Sequence, residues 1–247
     1  MTTLIIGCST GGTGAAIARR LCALGQRVHL LGRTAATVHA LRATLGEGCA
    51  SAATVDVREV AAYEAALAQI AAQGGVTGLV YAAGSIPLKP LSRTSAVDMT
   101  EAFTLNTLGA MLAVKALAPT LAQGPAPGSV VLFSTVAASV GFPNHAAIAA
   151  AKAGVEGFTR AAAAELAPRV RVNAIAPSLT DTPLASRILS SEAMRRALGE
   201  AHPIPRVGSP EDLAQAALFL LNPEASGWVT GQVWAVDGGR STLRHKN

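Results

Sequence analysis

The stretch "PNHAAIAAAK", residues 143–152, holds two side chains able to move or steady a proton, His145 and Lys152, with Ile148 between them. A helix turns about 100° per residue, so positions 145, 148 and 152 share one face. Histidine, with an ordinary pKa of about 6.5, suits proton transfer near neutrality. A neutral ring still donates a hydrogen bond to a developing oxyanion. Pro143 and Asn144 break the chain ahead of the Ala-rich run, and Pro168 stops it, so a helix is expected over 144–166.

A second group of residues reads as phosphate chemistry. "GCSTGGTGAAIA", residues 7–18, places Gly7, Ser9, Thr10, Gly12 and Gly14 between an apolar run and a helical pattern. Glycine lets the backbone approach a pyrophosphate, and a helix amino end offers free N–H groups and a positive dipole. About 20 residues on, an NAD site usually carries an acid for the ribose 2′-hydroxyl. This chain has Gly32, Arg33 and Thr34 there. The planar fork of arginine pairs with a 2′-phosphate, so NADP(H) is the expected cofactor and NAD(H) the alternative. Asp56 and Val57 end the third apolar run, where a carboxylate can accept from an adenine amino group. Ala82, Ala83 and Gly84 end the fourth and let the backbone lie against a ribose.

Short apolar runs alternate with longer helical patterns and must position these residues. The runs are "TLIIG", "RVHLL", "AATVD", "GLVYAA", "SVVLFS", "VRVNAIA" and "QVWAV". Strands apolar throughout are buried on both faces, and alternation with helices makes them parallel. The expectation is an α/β, Rossmann-type doubly wound sheet of about seven parallel strands with helices on both faces. Helices are expected at 14–24, 34–45, 57–73, about 95–117 and 144–166. Another opens at Ser209-Pro210-Glu211-Asp212, a cap followed by proline and early acids. Ligands of such sheets bind beyond the carboxyl ends of the strands. One domain spans 1–247, with a lid at about 179–202 made apolar by Leu184, Ile188, Leu189, Met194 and Leu198.

Half of the residues are apolar and 14% are charged, which fits a well-cored globular chain. The formal charge of +5 is spread thinly, with no aromatic-studded basic stripe, so no nucleic acid is expected as partner. Arg240, Arg244 and Lys246 read as a solvated, frayed tail. Residues 116–151 lack Asp, Glu, Lys and Arg, but Pro119, Pro125, Pro127 and Pro143 interrupt them, so no membrane span is expected there. Cys8, Cys22 and Cys49 have no metal spacing and form no even disulfide set; no metal and a cytoplasmic setting are expected. "LIIGC" lacks the basic leader and apolar length of a signal peptide.

Several ordered stretches then resemble the short-chain dehydrogenase/reductase family, from Leu4 to about Gly239. They are the glycine turn, Asp56-Val57, "AAG" at 82–84, Asn106, Lys152, "RVNAIAPSLTDTP", "RVGSPEDLA" and "TGQVWAVDGG". The resemblance implies a nicotinamide cofactor, a small-molecule substrate, and a homodimer or homotetramer in which the helices of Asn106 and Lys152 pack against a neighbour. By the same resemblance, Lys152 holds the nicotinamide ribose, Asn106 fixes a relay water, and Thr182, with Pro177 ahead of it, holds the carboxamide. Thr135 takes the place of an assisting serine, with Ser134 beside it. Ile148 takes the place of the proton-donating tyrosine. The enoyl reductases are similar at this segment, with a tyrosine seven residues before the lysine, where this chain has His145. Other departures are Cys8 in place of a turn glycine, Tyr81 and Ala82 in place of two asparagines, and Ser178 in place of a glycine. Two readings follow. One is an NADP(H)-dependent oxidoreductase acting on a carbonyl or activated C=C, with His145 or a bound water beside Thr135 for the charge. The other is a catalytically silent dinucleotide-binding module or a subunit of a mixed oligomer.

Overall fold

The computed structural model describes residues 1–244, so Lys246 lies outside the described residues. The apolar runs become β1 (Thr2–Ile6), β2 (Arg27–Gly32), β3 (Cys49–Thr54), β4 (Val76–Tyr81), β5 (Gly128–Phe133), β6 (Val170–Pro177) and β7 (Val233–Val236). They form one parallel sheet in the order β3-β2-β1-β4-β5-β6-β7. The helical patterns become α1 (Thr13–Ala23), α2 (Ala35–Leu45), α3 (Val60–Gln73), α4 (Ala96–Phe103), α5 (Gly109–Leu121), α6 (Ala146–Leu166), α7 (Glu192–Glu200) and α8 (Pro210–Leu221).

Successive residues of a strand face opposite sides, and the core divides accordingly. Leu4 and Ile6 pack with Tyr63 of α3, Leu117 of α5 and Val155 of α6. Ile5 packs with Ile17 of α1, Leu41 of α2 and Leu213 of α8 on the other face. The start of α8 is closed by a capping box between Ser209 and Asp212, with Pro210 at its first turn.

Several boundaries shift by a few residues, with α3 starting at Val60 rather than 57 and α6 at Ala146 rather than 144; two differences have a physical reason in the fold. β3 begins at Cys49 and ends at Thr54 rather than covering "AATVD". It is an edge strand paired only with β2, and it stops where its last partner, Gly32, stops. The long helix expected over 95–117 instead passes through a π-helical turn, Thr104–Leu108, and continues to Leu121 with Pro119 inside. Proline costs that last stretch one amide, but Val114, Leu117 and Leu121 are buried and keep it helical. The helix Ala96–Leu121 has the length and hydropathy of a membrane span, as a buried core helix also does.

The π turn is pinned by two phenols. Tyr81 donates to the carbonyl of Leu105 at 2.6 Å, and Tyr63 to that of Gly109 at 3.0 Å. A side chain at Gly109 would collide with the Tyr81 hydroxyl, since its Cβ would lie 2.2 Å away.

Candidate active site

The residues after β1, β2, β3, β4, β5 and β6 come out at one edge of the sheet. After β1 the chain turns at Gly7, whose φ of 97° and closeness to Ala83 admit only glycine: a Cβ there would lie 2.3 Å from the Ala83 nitrogen. Gly12 is the N-cap of α1, no side chain caps it, and the first turn holds no acid. Its leading N–H groups therefore suit an anion. Ser9 and Thr10 are exposed beside them, and Gly14 packs on the Gly7 carbonyl, with room for no side chain. Cys8, in the first-glycine position, is buried with its thiol toward the Ile5 carbonyl at 3.2 Å. Burial pushes that thiol up to about 12, so it is inert. The turn is thus a candidate site for a phosphate.

Arg33 and Thr34 are exposed after β2. Asp56 turns out after β3, but Arg58 grips its carboxylate, with contacts of 2.6–3.2 Å to both oxygens. That fork, together with the charge of Arg33, holds the carboxyl below its usual range. Val57 is buried in the core, so only its backbone faces a ligand.

The remaining candidates converge. Asn106, Thr135, His145, Ile148, Lys152, Ala82, Ala83, Gly84, Pro177 and Thr182 all line one cavity of about 450 Å³. A Cβ on Gly84 would lie 2.9 Å from Asn106 Oδ1 and 3.5 Å from Lys152 Nζ, which fixes how closely those groups approach. The glycine turn, Arg33, Thr34, Asp56 and Val57 do not line this cavity and lie along the same edge.

Lys152 is buried, and its ammonium donates to the Phe133 carbonyl at 2.6 Å. Burial pulls its pKa down to about 8. Asn106 donates to Ala102 O at 2.8 Å and Ser85 Oγ at 3.1 Å, and accepts from Ser85 N at 3.2 Å. It therefore ties the π turn to the loop after β4. Ser134 is committed to Glu156 at 2.7 Å. Thr135 donates only weakly, to Pro177 O at 3.4 Å. Ile148 is buried within the cavity wall. The chain's two tyrosines, Tyr63 and Tyr81, are both in the core, so no phenol reaches this cavity.

His145 stands just before α6 and makes no capping bond. Its Nδ1 lies 2.7 Å from the Pro143 carbonyl. A carbonyl only accepts, so Nδ1 carries the hydrogen and Nε2 of the neutral ring is bare. The expectation that a neutral His145 would donate to an oxyanion is thereby corrected: at Nε2 the ring donates only when protonated, and when neutral it accepts.

Three cavity residues escaped the sequence reading. Phe142 tilts against the His145 ring, with centroids 5.5 Å apart. His202, expected only to end the lid, bonds Ser178 Oγ at 2.8 Å and Leu198 O at 2.9 Å. Arg240, expected in a frayed tail, lines the cavity and lies 5.7 Å above the Phe142 ring. The Gly-Gly pair at 238–239, with φ of 61° and 86°, turns the chain back toward the site. Of the lid residues, Leu184, Ile188 and Leu198 face the cavity, whereas Met194 is exposed.

Residues 7–241 match the family described as enoyl-(acyl carrier protein) reductase. The chain is 36% identical over 234 residues to "Inactive 2-(S)-hydroxypropyl-CoM dehydrogenase 2" of Xanthobacter autotrophicus, covering 92% of this chain and 100% of that one. It is 36% identical over 251 residues to 2-(S)-hydroxypropyl-CoM dehydrogenase 3 of the same organism, covering 97% of each. A solved structure described as a short chain dehydrogenase/reductase family protein superposes with a TM-score of 0.87 at 32% identity, covering 98% of both chains.

Proposed function

The chain belongs to the short-chain dehydrogenase/reductase family, and from that premise we propose that it is an NADP(H)-dependent oxidoreductase in which His145 handles the proton. Bound NADP(H) supplies or receives the hydride at a carbonyl or activated C=C. The glycine turn from Gly7 to Gly14 holds the pyrophosphate, with Ser9 and Thr10 beside it. Arg33 and Thr34 take the 2′-phosphate, Asp56 and Val57 the adenine edge, and Ala82, Ala83 and Gly84 a ribose. Lys152 holds the second ribose, while Pro177 and Thr182 hold the carboxamide. Asn106 Oδ1, with a lone pair to spare, holds a relay water. Residues 179–202 close over the substrate. The exposed Val97, Met99 and Phe103 of α4 support a homodimer or homotetramer through α4, α5 and α6.

The observation that carries the proton assignment is the Nδ1 contact to Pro143 beside a cavity with no phenol. Nε2 gives a proton to the developing alkoxide in reduction and takes one from the alcohol in oxidation. Thr135 steadies the oxygen. The test is single-turnover NADPH oxidation across a panel of ketones and enones. Turnover in the wild type is expected to fall by about 10²- to 10⁴-fold in His145→Ala. Turnover unchanged in His145→Ala would remove His145 from the mechanism.

The buried Ile148 favours a second reading, a silent dinucleotide-binding module or subunit of a mixed oligomer. Tight NADPH binding with no oxidation of any panel member would select it.

A further inference from the structure

Among the described residues, no Asp or Glu lines the cavity, yet two cations do, Lys152 and Arg240. Lys152 is deep, bonded to the Phe133 carbonyl, and assigned to the cofactor ribose. Arg240 is different. It is half-buried, its guanidinium meets only the Ala201 carbonyl by hydrogen bond, and no carboxylate pairs with it among the described residues. The nearest acid in sequence, Asp237, is spent on Gly239 N, Ser241 N and Ser241 Oγ at 2.5–2.9 Å. The surrounding wall is apolar, with Ile86, Leu88, Phe142, Leu184, Ile188 and Leu198. A guanidinium held against such a wall has given up hydration that one carbonyl replaces only in part.

We propose that Arg240 recognises an anionic group, a carboxylate, on a substrate whose remaining body is apolar. The inference rests on the reading of this cavity as the substrate site and names the substrate class of that site. Its geometry follows from the row of groups along one wall: Arg240 over the face of Phe142, and Phe142 against His145. An oxo or hydroxy acid lying along that row presents its reacting oxygen to His145 and its carboxylate to Arg240, with a short apolar spacer across Phe142. Arginine has five N–H donors in a planar fork, so after the Ala201 carbonyl it keeps enough for a two-point contact with a carboxylate. An ester or amide of the same shape would bring no charge to the guanidinium.

The test uses octanoate and octanamide, matched in shape and different in charge. Each is titrated calorimetrically into the full chain, with and without saturating NADPH, and NADPH affinity is read first by its fluorescence. The wild type should bind octanoate about 10- to 100-fold more tightly than octanamide. Arg240→Gln should bring that ratio to about one, and Arg240→Lys should keep part of it. The ratio within each variant is its own control for any general loosening of the site. Equal affinities in the wild type, no octanoate binding at millimolar concentration, or an undiminished ratio in Arg240→Gln would each overturn the inference. Failure to bind NADPH would overturn the functional reading and leave the octanoate ratio of the free chain to be judged separately.

Discussion

Lys152 shows how one residue sets opposite demands on stability and function. Its ordinary pKa is 10.5, and burial pulls it to about 8 in the folded chain. Between those values the unfolded chain keeps a proton that the folded chain has released, so stability must rise with pH across that window. On the proposed role of Lys152, cofactor binding through the ammonium runs the other way and weakens above about pH 8. Urea unfolding and NADPH titration between pH 7 and 9.5 are expected to show these opposite trends. The difference between the wild type and Lys152→Met isolates this group from the others that titrate there. NADPH affinity that is flat over this range would remove the ammonium from the site. The meeting of Ile148 and Lys152 was legible in the sequence because helical periodicity puts them on one face of α6; His145, just before that helix, joins them at the cavity. The tautomer of His145 was not, since it depends on the Pro143 carbonyl two residues back, whose direction is set by the turn. Arg240 was read as solvated because charge near a chain end usually is. Only the backbone turn at Gly238 and Gly239 carries it to the cavity.

Among the elements, the helix Ala96–Leu121 carries Asn106 to the cavity through its π turn. A π turn inserts one residue and leaves carbonyls without their usual helical partners. Tyr81, itself buried, satisfies that of Leu105 at 2.6 Å. Tyr81→Phe keeps the ring and strands the carbonyl, so it is expected to cost about 1–3 kcal/mol in urea unfolding. A loss below about 0.5 kcal/mol would mean that the phenol is not what satisfies the turn. This helix was legible as a single long element but its π turn was not. One extra residue shifts the apolar stripe by about 100°, which a run rich in Ala and Leu does not reveal. The end of β3 was misplaced for a related reason: pairing with β2, rather than local composition, decides where an edge strand stops.

Across the whole molecule, the sheet order changes direction between β1 and β4, and the glycine turn stands at that switch point. One half of the sheet offers the glycine turn, Arg33 and Asp56. The other offers the cavity with His145 and Lys152. The alternation of runs and helices made this architecture legible, because parallel strands leave few other arrangements. The meeting of Phe142, His202 and Arg240 was hidden, since residues so distant in sequence are brought together only by the closed fold. The central claim is that this edge holds a phosphorylated dinucleotide, and an equilibrium titration with NADPH and NADH tests it most directly. NADPH is expected to bind at least tenfold more tightly than NADH, and Arg33→Ser to erase most of that preference. An absence of affinity for both nucleotides would contradict the account.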